Sequence, residues 1–334
     1  MLQKMDSQKV NLQVCSLFAG IGGIDLAFKQ AGAEIVWAND IDPYVCKIYR
    51  HNFGNEFIVE DDIRNVDAET ISDFDVLTAG FPCQSFSTMG KQRGFADPRG
   101  NLFFEIARIV QAKQPSIIFL ENVKNLVAHY NGRTFITIHN TFAELGYAVK
   151  YKVMNATEFG NLPQERARIF LVAMRDLDML ERFEFPDEIP LTTDINDIID
   201  RADRKHEIYY YQPGNKYYGK LNERITDKQN IYRIDDSGVA TRSWNPCPTL
   251  KANMGTYPDR VPIVRDDFGI RKLTPYECLA FQGFPKDYRL PNVPLDPIYK
   301  AIGNTVPVPV VQRIAEKLMQ LRGANNGKFN RQSL

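Results

Sequence analysis

Four reactive side chains stand at separated points of this sequence, each next to an apolar run. Cys83 lies in "GFPCQSFS", behind a proline and ahead of a polar stretch. Glu121 lies in "ENV", after the apolar "PSIIFL". Arg166 and Arg168 lie in "QERAR", just before "IFLVAM". Each alone says little. A lone cysteine is normally a small buried apolar residue, and "QERAR" alone reads as a solvated charge run. Together they supply a nucleophile, a proton-carrying carboxyl and two cations that hold oxygens or stabilise a thiolate.

A second set lies further toward the N-terminus. "FAGIGG", residues 18 to 23, is a glycine-rich turn between an expected strand and an expected helix, where a ligand can approach the backbone. The dinucleotide fingerprint wants glycine at its first, third and sixth positions, which here are Gly20, Gly22 and Asp25. The missing third glycine disfavours a nicotinamide or flavin dehydrogenase. Asp40 follows Gly20 by 20 residues, where a carboxylate can accept from ribose hydroxyls or cap the next helix. Asp62 and Ile63 repeat the arrangement after "FIVED", an acid for an adenine amino group and an apolar cover for its ring. Three such strand ends describe an adenosyl site at the carboxyl edge of a sheet.

The elements that must position these groups follow from hydrophobic periodicity. "LQVCSLFAG", "AEIVWAND", "FIVED", "DFDVLTAGFPC", "PSIIFLENV" and "ARIFLVAMR" read as strands. "GGIDLAFKQAG", "PYVCKIYRHNFG", "NLFFEIARIVQAKQ" and "RTFITIHNTFAELGY" read as helices, the first two closed by Gly32 and Gly54. This alternation predicts a doubly wound, Rossmann-like α/β sheet. After about residue 175 the text turns polar, tyrosine-rich and irregular, with no helical period in "HEIYYYQPGNKYYGK", and predicts a smaller, mostly β domain. Helical text returns in "PVPVVQRIAEKLMQL".

The 334 residues are 44% apolar with a formal net charge of zero, enough for a large core and neutral on the question of a nucleic-acid partner. Five cysteines without C-x-x-C spacing and four histidines without a ligand pattern predict neither a disulfide framework nor a metal site. The polar N-terminus and the lack of an apolar run near ~18 residues predict a soluble, cytoplasmic protein.

"SLFAGIGGIDLAF", "GFPCQSFS", "ENV", "QERAR", "RKLTPYECLAFQGFP" and "GNTVPVPV", in this order, resemble the DNA (cytosine-5) methyltransferases, and the loop "GKQRGFADPRGNLFFEIARIV" resembles their bacterial restriction-modification members. The resemblance covers about two thirds of the chain. It implies S-adenosyl-L-methionine as cofactor and double-stranded DNA as substrate, with the protein monomeric. It also implies a discontinuous catalytic domain, residues 1–178 and 298–324, around a target-recognition domain and hinge, residues 179–297.

The family implies that Cys83 adds to carbon 6 of cytosine, which makes carbon 5 nucleophilic enough to take a methyl group. Glu121 would hold the exocyclic amine and protonate ring nitrogen 3. Arg166 and Arg168 would hold the carbonyl oxygen and a neighbouring phosphate. The base must be flipped out of the duplex at a cost of a few kcal/mol. The implied cofactor contacts are Phe18, Ala19, Gly20, Gly22, Asp40, Ile41, Asp62, Ile63, Pro82, Leu102, Asn304 and Thr305. At Asp40 a longer acid is common in the family. The implied DNA contacts are Gln84, Ser85, Ser87, Lys91, Arg93 and Arg99 on a mobile loop, then Arg242, Thr249, Lys251 and Arg260 in the recognition region.

Two other readings stand beside this one. An RNA cytosine-5 methyltransferase would share the catalytic set, but the transfer-RNA branch carries "CFT", absent here. A non-catalytic DNA-binding module on the same fold is disfavoured by the presence of all four reactive residues.

Overall fold

The computed structural model describes residues 12–81, 102–234, 246–256 and 260–329, with only the backbone described over 323–329. Strands β1 (Gln13–Leu17), β2 (Glu34–Asp40), β3 (Ile58–Glu60), β4 (Val76–Gly80) and β5 (Ile117–Val123) alternate with helices α1 (Gly23–Gln30), α2 (Pro43–Phe53) and α3 (Leu102–Lys113). Then come α4 (Arg133–Glu144), β6 (Ala148–Asn155), the single turn α5 (Ala156–Phe159) and β7 (Ala167–Met174). Seven strands form one sheet in the order β3-β2-β1-β4-β5-β7-β6. β1 to β5 pair in parallel, and β7 runs antiparallel to both of its neighbours.

Successive residues of the central strands point to opposite faces, and both faces are covered. Val76, Ile117 and Phe119 join one core with Phe28 of α1. Leu77, Ile118 and Leu120 join the other with Ile106 of α3 and Phe142 of α4. That is why these strands read as continuous apolar runs rather than alternating ones. Each such side chain contributes roughly 1.5–3 kcal/mol on burial.

The expected strands and helices of the first half all form. α2 begins where Asp42 accepts from the Tyr44 and Val45 amides, with Pro43 in its first turn. β6 has no counterpart among the strands expected from sequence. It is the outer strand of the sheet, and its lysines lean onto the following segment, where Lys150 Nζ donates to the Phe183 carbonyl at 2.7 Å. Lysine on an edge strand is a common guard against further strand pairing, and it obscures the apolar pattern.

Helix α6 (Leu177–Arg182) packs Met179 and Leu180 into the core of the large sheet, and the smaller region beyond it contains α7 (Tyr218–Arg224), within text that showed no helical period, and the hairpin of β8 (Ile263–Arg265) and β9 (Ile270–Lys272). It has its own core of Leu221, Ile225, Tyr232, Ile234, Ile263 and Ile270. Behind the hairpin, Arg271 is fully buried. Its Nε meets Asp266 Oδ2 at 2.7 Å, and its two terminal nitrogens meet the Glu277 carboxylate at 2.8 Å each. This ties the hairpin to α8 (Pro275–Phe281), whose first turn is closed by a Thr274–Glu277 capping box.

The chain then returns to the large sheet through α9 (Leu295–Asn304) and α10 (Val308–Phe329). Phe281, Ile298, Val311 and Leu318 enter the same core as α1. Near the described end, Arg322 pairs with Asp75 at 2.6 Å, below the start of β4.

Candidate functional site

Strand order reverses between β1 and β4, and there the carboxyl ends of the strands leave a crevice, the usual place for a ligand in such sheets. The crevice is a cleft of about 490 Å³. The glycine turn forms one wall, the end of β2 the next, and the end of α9 the third. Glu121, Arg166 and Arg168 stand in the same cleft.

The turn after β1 holds an unusual backbone. Phe18 has φ 54°, ahead of Gly20 at 59° and Gly22 at 76°. A bulky residue in the left-handed region costs about 1–3 kcal/mol and persists only where its surroundings over-determine it. Asp40 supplies that constraint. Its Oδ2 accepts from the Gly20 amide at 2.9 Å and its Oδ1 from the Asp42 amide at 3.0 Å. Burial raises the Asp40 carboxyl above the ordinary aspartate range, and those two amides oppose the rise.

The same turn is open for a ligand. A Cβ on Gly20 would meet only the Phe18 carbonyl, at 4.0 Å. Ile41, at the end of β2, is 63% exposed although apolar. Bare backbone, a carboxylate and two apolar faces suit a ribose carrying a flat base.

At the other end of the cleft, Arg168 Nε lies 3.1 Å from Glu121 Oε1. β5 and β7 are neighbours, which brings "ENV" beside "QERAR". Burial raises the Glu121 carboxyl, with Arg168 and then Arg166 pulling it down. A buried carboxyl held this way can carry a proton to a base and accept from its amine. Arg166 is engaged differently. It is buried, with Nη1 on the Leu250 carbonyl at 2.7 Å and Nη2 on the Gly303 carbonyl at 3.1 Å and on the Thr305 carbonyl. Its Nε has no partner among the described residues.

Of the cofactor contacts implied by resemblance, Phe18, Ala19, Gly20, Asp40, Ile41, Leu102, Asn304 and Thr305 line the cleft. Three do not. Gly22 backs onto the Phe53 ring, where a Cβ would come within 2.3 Å of it. Ile63 is buried among α3-facing side chains. Asp62 is turned onto Arg64, which holds its carboxyl down to about 2 through hydrogen bonds. Thr249 donates its hydroxyl to the Glu165 carbonyl. Lys251 follows on the same segment, where it crosses α9, and Arg260 is half-buried. Cys83, Pro82, Gln84, Ser85, Ser87, Lys91, Arg93, Arg99 and Arg242 lie outside the described residues.

Sequence reasoning missed several contributors. Asn122 of "ENV" donates from Nδ2 to the Phe81 carbonyl at 2.8 Å, anchoring the last described residue before Cys83. Lys300 and Gly303 of α9 and Asp42, which caps α2, also line the cleft. The run "DPIYKAIGN" directly precedes the motif "TVPVPV", so its helical period was the available signal.

Comparison with known proteins fits this geometry. The family model described as C-5 cytosine-specific DNA methylase matches residues 12–320. The chain belongs to the C-5 cytosine-specific DNA methylase family. Type II methyltransferase M.Bsp6I of Bacillus sp. (strain RFL6) is 48% identical over 310 residues, 92% of this chain and 98% of that protein. Type II methyltransferase M.HhaI of Haemophilus parahaemolyticus is 38% identical over 329 residues, 94% of this chain and 96% of that protein. The fold is shared with the S. pombe Dnmt2 methyltransferase, at TM-score 0.71 and 22% identity over 93% of this chain and 99% of that one. As a C-5 cytosine-specific DNA methylase, this chain is a DNA (cytosine-5-)-methyltransferase, with DNA as substrate. Among the described residues no helix is long and apolar enough to cross a membrane, and no group of three or more His, Cys, Asp or Glu could hold a metal ion.

Proposed function

We propose that this methylase transfers a methyl group from S-adenosyl-L-methionine to carbon 5 of a flipped-out cytosine in a specific duplex sequence, with Cys83 as the transient nucleophile. The observation that carries the reading is the buried Glu121–Arg168 pair, 3.1 Å apart, in the cleft formed by the glycine turn. Its likeness to two type II methyltransferases supports a place in a restriction-modification system.

The residues present fit the cofactor. Asp40 offers a carboxylate for the ribose, Phe18 and Ile41 offer apolar faces for the adenine, and Gly20 leaves the backbone bare. When bound, the cofactor supplies an electrophilic methyl group on a sulfonium.

The chain's own groups do the rest. The Cys83 thiolate bonds to carbon 6 of the base, and Glu121 gives a proton to ring nitrogen 3, so that no negative charge accumulates on the ring. Arg168 holds Glu121 in place and its donors suit the base carbonyl oxygen. After methylation the carbon 5 proton passes to water, the thiolate leaves carbon 6, and ring nitrogen 3 returns its proton to the Glu121 carboxylate, which restores the aromatic ring.

The test uses duplex DNA carrying 5-fluorocytosine together with S-adenosyl-L-methionine, so that carbon 5 is methylated before the blocked elimination. Fluorine cannot leave as a cation, so the protein should remain covalently joined to the base. Cys83→Ala should abolish that adduct and leave cofactor binding nearly intact. An adduct that survives in the variant, or one that forms on RNA and not on DNA, overturns the reading.

A further inference from the structure

We infer that Arg166 is a positioning residue that transmits cofactor occupancy from the end of α9 to the recognition-side segment 247–254. Three observations converge on its side chain. One guanidinium ties together, by hydrogen bonds, two elements that also pack against each other. It holds the carbonyls of Gly303 and Thr305 on one side and of Leu250 on the other. Gly303 and Thr305 line the cofactor cleft, while Leu250 belongs to the segment leading toward the expected sequence-reading loops.

The segment is held to the same joint by further bonds. The Cys247 amide donates to the Pro163 carbonyl and the Glu165 amide to the Cys247 carbonyl, each at 2.8 Å. The Leu250 amide donates to Gln164 Oε1 at 3.1 Å, and Gln164 Nε2 donates to the Phe281 carbonyl at 2.8 Å. "QERAR" therefore forms a short ladder with "CPTL". On the far side the segment rests against α9 without a gap. A Cβ at Gly303 would fall 2.1 Å from the Lys251 carbonyl oxygen.

The physical consequence is coupling. Arg166 is 1% exposed, so water cannot replace a carbonyl that it loses. If a ligand draws residues 303–305 inward, the guanidinium must follow, and Leu250 must follow it. The reverse holds when the segment is drawn by DNA, because coupling between sites is reciprocal. A lysine gathers its three donors at one point and cannot reproduce the spread of the guanidinium fork, in which Nη1 faces Leu250 and Nη2 faces Gly303 and Thr305. Arg168, paired to Glu121, is the member of "QERAR" that faces the chemistry.

This coupling rests on the adenosyl reading of the cleft, and hydrogen exchange of the full chain with and without S-adenosylhomocysteine tests the two apart. In the wild type, amides of the glycine turn and of 247–254 should both exchange more slowly with ligand, by about fivefold or more, the lower end of ordinary coupling. In Arg166→Lys, protection of the glycine turn should remain and protection of 247–254 should vanish. Thr249→Ala, which removes one exposed tie from the same ladder, should weaken it partly and serves if the lysine variant does not fold. Loss of ligand protection at the glycine turn in the wild type would overturn the cofactor reading. Turn protection without protection of 247–254 in the wild type, or protection of 247–254 unchanged in either variant, would overturn the role of Arg166.

Discussion

Tyr49 of α2 donates its hydroxyl to Asp25 Oδ2 of α1 at 2.6 Å, directly behind the glycine turn. Asp25 is 1% exposed, and its Oδ1 has no partner among the described residues. Burial pushes its carboxyl up to about 6, against the pull of the nearby Ser16 and Tyr49 hydroxyls. Nearby, Tyr288 donates to the Ile21 carbonyl at 2.6 Å, so the turn rests on this buried polar layer.

A carboxyl whose folded pKa lies above its unfolded value binds protons preferentially when folded. Its cost is fully present above about pH 6 and disappears as the pH falls below about 4. Stability from this group therefore declines as pH rises through that window, by an upper limit of ~3 kcal/mol. Asp25→Asn should flatten the decline, as read by urea unfolding at several pH values between 4 and 7.5. An unchanged slope would remove Asp25 as its source.

Glu121→Gln keeps the shape of the side chain and removes the proton. Methyl transfer to DNA should fall by about 10²–10⁴, the ordinary contribution of a general acid. Cofactor affinity, measured by calorimetry without DNA, should stay within about threefold, less than ~0.7 kcal/mol. A matching loss in both would make Glu121 a structural residue of the cleft.

Arg271 carries two buried carboxylates, Asp266 and Glu277. Arg271→Met leaves both without their cation and should cost about 3–5 kcal/mol. Thermal unfolding should show a large drop in midpoint. Double replacement of Arg271 and Glu277 by apolar residues should recover part of it, because the desolvation cost then falls with the charge.

Gly303→Ala places a methyl group against the Lys251 carbonyl, where backbone must shift. A loss of about 1–3 kcal/mol is expected from such overpacking. Cofactor affinity should fall as well, since Gly303 lines the cleft. Retained stability together with retained affinity would show that the segment 247–256 does not press on α9.

Much of this molecule is legible without coordinates. The strands ending at Leu17, Asp40 and Gly80 are apolar runs stopped by glycine or acid, and those stops mark the cleft. "ENV" and "QERAR" say little alone and read as site residues only together with Cys83, as a nucleophile, a carboxyl and two cations at the ends of neighbouring strands. β6 was hidden because lysines occupy an edge strand. Asp62 and Ile63 have the right residue types at the right spacing; in this structure the Asp62 carboxylate meets Arg64 and Ile63 packs in the core, placements that no local rule reports.

The sequence by itself determined the alternation of elements, the glycine turn and the chemical kinds of the reactive groups, because hydrophobic period and backbone freedom are local properties of the chain. Tertiary structure decided which of two near-identical arginines faces the carboxyl and which is drawn into backbone carbonyls. That choice depends on Leu250 and Gly303, 84 and 137 residues away, and on how a buried guanidinium finds partners when no water can reach it.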